Sequence, residues 1–161
     1  MAKVPDVGQP APDFTLPGVV VVAGAAAHAD YTLSQQRGQS VVLAFYPGDN
    51  TAVCTRQLCY YTSGLESFTR FDAAVWAISP QGLASHEQFA RKYNLAFPLL
   101  ADEGLAVSRH YGITLAGAGL RRSVFVIDSD GIVRWKHVTL VGLTFPSADT
   151  IAAQLSALGG R

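Results

Sequence analysis

Cys54 and Cys59 lie in the stretch Tyr46-Pro-Gly-Asp-Asn-Thr51-Ala-Val-Cys54-Thr-Arg-Gln-Leu-Cys59, and here the chain could do chemistry. The apolar run before it ends on Pro47-Gly48-Asp49-Asn50, a series of strong turn formers. A helix starting near Thr51 puts Cys54 in its first turn. Backbone N–H groups there have no partner within the helix, and the helix dipole favours an anion. A thiolate is the anion on offer, so the setting raises the nucleophilicity of Cys54. The end of a strand is also the carboxyl edge of a sheet, where open α/β folds place their sites. Elsewhere a free cysteine is most often a small, inert apolar residue.

Cys59 follows five residues later. In a helix that separation gives a rise of about 7.5 Å and a rotation of about 140°, hence Cα atoms roughly 8.6 Å apart. A disulfide needs Cα atoms within about 7 Å. Either the two never bond, or the start of the helix unravels when they do. A metal would need two further ligands, and His86, His110 and His137 are scattered, so neither a metal nor a cofactor is expected. Thr51, one turn before Cys54, can face the sulfur, cap the helix, or do both. Pro47 lacks an N–H and could wall the thiolate off from water, although a turn is the commoner use of a lone proline. A cation should also be near. Arg56 points elsewhere on the same helix, whereas Arg121 and Arg122 open the strand Val124-Phe-Val-Ile and could reach a neighbouring helix end.

The rest of the chain must hold this cluster in place. The Pro-rich start Gly8-Gln-Pro-Ala-Pro-Asp reads as an extended arm. Strands are expected at 13–16 and 19–23 with a turn at Pro17-Gly18, then a loop over 25–30. Residues 40–46 read as a buried central strand. One helix is expected from Thr51 to Phe71, with Val53, Leu58, Tyr61, Leu65 and Phe68 on one face. A strand at 74–79, a helix at 85–93, an extended piece at 97–100 and a small helix at 104–110 follow. Ser129-Asp-Gly turns a hairpin between 123–128 and 132–138. A helix over 147–158 closes the chain, with Ser147 as N-cap and Gly159-Gly as its stop. This order predicts an α/β, thioredoxin-like fold: a central mixed sheet with helices on both faces and an N-terminal β-hairpin extension. One domain over 1–161 fits the length.

Composition narrows the function. Lys and Arg number 12 against 12 Asp and Glu, so no overall field draws nucleic acid or anionic membrane, and neither is expected as a partner. Charged residues make up only 15%, which leaves apolar surface and predicts a monomer or a weak homodimer. The stretch from Val19 to Ala27 is too short to span a bilayer, and Met1-Ala-Lys-Val-Pro does not read as a signal peptide. A cytoplasmic location is therefore expected, where idle thiols stay reduced.

Pro47-Gly-Asp-Asn-Thr51-Ala-Val-Cys54 resembles the Pro-x-x-x-Thr-x-x-Cys signature of the peroxiredoxins. The spacing to Cys59 resembles their bacterioferritin comigratory protein, or peroxiredoxin Q, branch. Gly8-Gln-Pro-Ala-Pro-Asp-Phe-Thr-Leu, Ile78-Ser-Pro, the stretch from Phe89 to Asp102, and Arg122-Ser-Val-Phe-Val-Ile-Asp128 agree, so the likeness runs roughly from Val7 to Val138. The resemblance implies a thiol peroxidase acting on hydrogen peroxide and organic hydroperoxides. Cys54 would be the peroxidatic cysteine, Thr51 would bond the peroxide, Arg122 would hold thiolate and peroxide, and Pro47 would shield the pocket. Cys59 would resolve the sulfenic acid as an intramolecular disulfide, recycled by thioredoxin or a similar dithiol. The sequence departs from the branch in carrying Gln57 where Glu is usual, in Ala-Val between Thr51 and Cys54, and in a longer segment from Val19 to Asp30. The alternative is a peroxide-responsive redox sensor or binding module whose helix melts on disulfide formation. A disulfide reductase is disfavoured because Cys-x-x-Cys is absent.

Overall fold

A computed structural model describes residues 2–116, 119–139 and 144–159. The strands and helices are, in order, β1 (Thr15–Val22), β2 (Ala25–Thr32), a 3-10 turn (Leu33–Gln36), β3 (Ser40–Phe45), α1 (Ala52–Ser63), α2 (Leu65–Thr69), β4 (Ala73–Ser79), α3 (Leu83–Tyr93), β5 (Leu99–Ala101), α4 (Ala106–His110), β6 (Thr114–Leu115), β7 (Gly119–Leu120), β8 (Ser123–Ile127), β9 (Val133–Val138) and α5 (Ala148–Gly159). Seven strands form one sheet in the order β2-β1-β5-β4-β3-β8-β9. β3 pairs parallel with β4 and antiparallel with β8, so the sheet is mixed, as expected.

Strand alternation assigns the two faces. Val42, Ala44, Val75, Ala77, Val124 and Val126 point to one side, where they pack on Cys54, Leu58, Tyr61, Phe68, Phe89 and Leu155 from α1, α2, α3 and α5. Val41, Leu43, Phe45, Trp76, Phe125 and Ile127 point to the other. There the N-terminal arm, the 3-10 turn and α4 supply Phe14, Leu33 and Val107. β3 is apolar on every residue from Val41 onward because it lies between two paired strands, β4 and β8, with a core on each side. Its C-terminal end delivers the chain to the cysteine-bearing turn.

Three expectations are corrected. Pro17-Gly18 is not a turn; β1 runs through it, with Pro17 opposite Asp30. Gly18 is small because the Tyr31 ring lies 2.8 Å from where a Cβ would stand. The hairpin turns at Ala23-Gly24, both with positive φ (50° and 80°), and 25–30 is strand rather than loop. β2 escaped pattern reading because it is a largely exposed edge, without the alternation a half-buried strand shows. The expected helix from Thr51 to Phe71 is two helices that break at Gly64. A Cβ on Gly64 would stand 2.7 Å from Ala148 Cβ, so the break lets α5 approach. Ser147 caps α5 as expected, its Oγ accepting from Thr150 N at 3.1 Å; Gly160 of the expected stop lies outside the described residues.

Candidate active site

The turn after β3 and the first turn of α1 place the cysteine. Thr51 occupies the N-cap position in extended conformation, and its carbonyl accepts the first helical bond from Thr55 N at 2.9 Å. Its hydroxyl does not cap the helix. It donates back to the Gly48 carbonyl at 3.2 Å, and the residue stays exposed. Cys54 is the third residue of α1, and its side chain is fully buried against Tyr46 and Leu58.

Arg122 enters from the start of β8 and is 2% exposed. Its Nη2 donates to Cys54 Sγ at 3.1 Å, and its Nη1 donates to Gln57 Oε1. Gln57 Nε2 donates to Tyr61 Oη at 3.3 Å, and Tyr61 Oη donates to the Pro146 carbonyl at 2.7 Å. A chain of hydrogen bonds thus ties the sulfur to the segment that leads into α5. Burial pushes the Tyr61 phenol up, so Tyr61 remains a neutral donor. Arg121, which sequence spacing did not distinguish from Arg122, instead donates to the Gly112 carbonyl at 3.1 Å. Arg56 lies over the Phe145 ring, 5.7 Å from its centroid, away from the sulfur as expected.

Cys59 is on the same helix, half-buried, and both cysteines are free. Burial raises its thiol above the ordinary value. Pro47 follows β3 and is exposed. The structure therefore brings Cys54 and Arg122 into contact, sets Thr51 at the helix start before them, and keeps Cys59 apart along α1. Among the described residues, no group of three or more His, Cys, Asp or Glu side chains is placed to hold a metal.

Sequence reading missed a second polar cluster beside the turn. Asp49 accepts from Tyr46 Oη at 2.6 Å, from Ser85 Oγ at 2.7 Å and from His86 Nδ1 at 2.7 Å, and its own N–H donates to Gln81 Oε1. Burial by itself would raise the Asp49 carboxyl. The hydrogen bond and charge of His86, with the Tyr46 and Ser85 hydroxyls, outweigh burial and hold it below the usual range. Burial, then the charge and hydrogen bond of Asp49, push the Tyr46 phenol well up. The available signal was helical spacing: His86 shares the apolar face of Phe89 and Ala90, three and four residues on.

A family model described as the AhpC/TSA family matches residues 7–136. Peroxiredoxin Q, chloroplastic, of Oryza sativa subsp. japonica is 40% identical over 106 residues, covering 65% of this chain and 49% of the rice protein. The chain spans about half the length of that plant relative and of those from wheat and Suaeda salsa. A peroxiredoxin bcp of Coxiella burnetii is 32% identical over 149 residues, covering 85% of this chain and 92% of the relative. Among solved structures, Xanthomonas campestris peroxiredoxin Q superposes with a TM-score of 0.74 at 26% identity, covering 88% of this chain and 90% of that one. Reduced Plasmodium vivax 2-Cys peroxiredoxin superposes with a TM-score of 0.86 at 24% identity, covering 96% of each chain, a likeness of fold.

Proposed function

We propose, from the premise that this chain belongs to the AhpC/TSA family of peroxiredoxins, that it is a thiol peroxidase for hydrogen peroxide and organic hydroperoxides. The observation that carries the proposal is the 3.1 Å contact from Arg122 Nη2 to the buried Cys54 Sγ in the first turn of α1. A guanidinium and free helix N–H groups together stabilise an anion at that sulfur. The Cys54 thiolate attacks one peroxide oxygen, the O–O bond breaks, and the leaving oxygen departs as water or alcohol once protonated. Cys54 becomes a sulfenic acid. With its proton donated to Gly48, the Thr51 hydroxyl keeps its lone pairs for a peroxide O–H. Pro47, exposed just past the end of β3, takes the part of a shield beside the sulfur.

Cys59 then attacks the Cys54 sulfur, water leaves, and a disulfide joins the two. Helix geometry forbids that bond in place, so the start of α1 unravels first. A dithiol of the thioredoxin type restores both thiols by exchange. A reducing compartment such as the cytoplasm supports that cycle. Among the described residues, the exposed large apolar side chains Val7, Val22, Tyr60 and Leu115 lie on separate segments, which supports a monomer or a weak homodimer.

Intact-mass analysis after one equivalent of hydrogen peroxide tests the reading. The wild type should lose two hydrogens, Cys59→Ser should gain one oxygen, and Cys54→Ser should stay unchanged. A wild type that stays reduced at low micromolar peroxide, or a Cys54→Ser variant that consumes peroxide equally well, would sink it. Continuous turnover with thioredoxin and its reductase separates a peroxidase from a sensor, which would oxidise once and stop.

A further inference from the structure

His86 is fully buried, and each of its ring nitrogens faces an oxygen. Nδ1 lies 2.7 Å from Asp49 Oδ2, and Nε2 lies 3.0 Å from the Leu100 carbonyl oxygen. A carbonyl can only accept. The Asp49 carboxyl, which also accepts from the Tyr46 and Ser85 hydroxyls, is held below its usual range and is ionised at neutral pH. A neutral imidazole has one N–H, so whichever nitrogen lacked the proton would turn a lone pair toward an oxygen lone pair. Only the doubly protonated ring satisfies both contacts. The other charged groups of α3 are turned outward, where Arg91 pairs with Glu87 and Glu87 meets His28. Tyr46, Ser85 and Gln81, which complete the cluster, are neutral.

This pair is one peptide away from the reactive turn. The Gly48–Asp49 peptide donates its N–H to Gln81 Oε1, while its carbonyl accepts from Thr51 Oγ1 at 3.2 Å. Asp49 fixes that peptide through its side chain, which is bound to α3, and α3 is fixed to β5 through His86. We infer that His86 is a buried imidazolium and that the Asp49–His86 ion pair is a positioning device. It holds the turn that presents Thr51 and Cys54, without touching peroxide itself. This inference rests on the peroxidase reading for its effect on rate, but not for the charge state of His86.

Nitrogen NMR of the histidine rings tests the charge, with resonances assigned by His28→Gln, His110→Gln and His137→Gln, none of which touches the pair. Both His86 ring nitrogens should be protonated at pH 7 in the wild type, and Asp49→Asn should leave a single neutral tautomer. Stopped-flow oxidation of Cys54 by hydrogen peroxide should slow at least tenfold in Asp49→Asn. Should that variant not fold, Ser85→Ala carries the rate test, with a twofold to fivefold slowing expected. A neutral His86 in the wild type, or a wild-type rate in the variant that is tested, overturns the inference. If the wild type itself ignores peroxide, the peroxidase reading fails, and the ring protonation still decides the charge state of His86.

Discussion

Arg122 is asked to do two things with one group, donating to Cys54 Sγ from Nη2 and to Gln57 Oε1 from Nη1. Only a planar fork can do both from a fixed position. Arg122→Lys keeps the charge but replaces two fixed, separated nitrogens with one on a shorter reach, so the ammonium must leave either the sulfur or Gln57. A lost hydrogen bond to a charged group is worth about 1.5–3 kcal/mol, so oxidation of Cys54 by peroxide should slow roughly 10- to 100-fold. Stopped-flow tryptophan fluorescence would measure it, and a rate within twofold of wild type would show that charge suffices. Gln57 anchors the guanidinium through its carbonyl without adding a negative charge beside the sulfur. Cys54 and Thr51 could be read from the sequence because the helix start makes their relation local. Arg122 needed the family resemblance, since 68 residues separate it from Cys54. Asp49 and His86 went unread because their bond joins residues 37 apart, and no short-range pattern encodes it.

Under the proposed cycle, helix α1 has to be stable enough to present Cys54 and weak enough to open for Cys59. Its first turn lacks a side-chain cap, since the Thr51 hydroxyl is spent on Gly48 and no acidic residue stands there to meet the dipole. Its far end is held firmly. Tyr61 is buried and bonded to Pro146, and Gly64 closes the helix against α5. Unravelling should therefore start at Ala52 and stop before Tyr61. In the disulfide form, amides of residues 52–59 should exchange at least tenfold faster than in the reduced form, while those of β3 and β4 keep their protection. Exchange that is equal in the two forms would mean the bond forms without melting. Gly64→Ala tests the other end. A methyl 2.7 Å from Ala148 Cβ must displace α5, and urea unfolding should show a loss of about 1–3 kcal/mol. Apolar periodicity could not place this break, because Leu65 and Phe68 continue the pattern across it; the reason for the break is in α5, at Ala148. The edge strand β2 was likewise hidden, since an exposed edge has no buried face to pattern it.

The molecule as a whole is neutral, with its charge stored in local pairs rather than in a surface field. Two of these pairs set its acid limit. Asp49 and Asp128 are both buried enough to be pushed up, yet both are held low. His86 and two hydroxyls do this for Asp49; the Ile132 N–H and then Arg134 do it for Asp128. A carboxyl depressed in the fold contributes stability that is complete above its unfolded value of about 3.9 and is lost as pH falls through the folded value. Urea midpoints should thus decline below about pH 4, and less steeply in Asp128→Asn, which has one such group fewer. The same neutrality bears on encounter. A neutral peroxide feels no long-range attraction, so on the proposed function a charged surface would gain nothing, and a cation at Arg122 would act only on contact. The rate of Cys54 oxidation by hydrogen peroxide should then change by less than about twofold as ionic strength rises from roughly 0.01 M to 0.5 M, although the Debye length shrinks several-fold. A steep salt dependence in that stopped-flow rate would show that charges beyond the pocket guide the substrate. A flat one leaves capture to diffusion and reactivity to the buried contact between Arg122 and the sulfur.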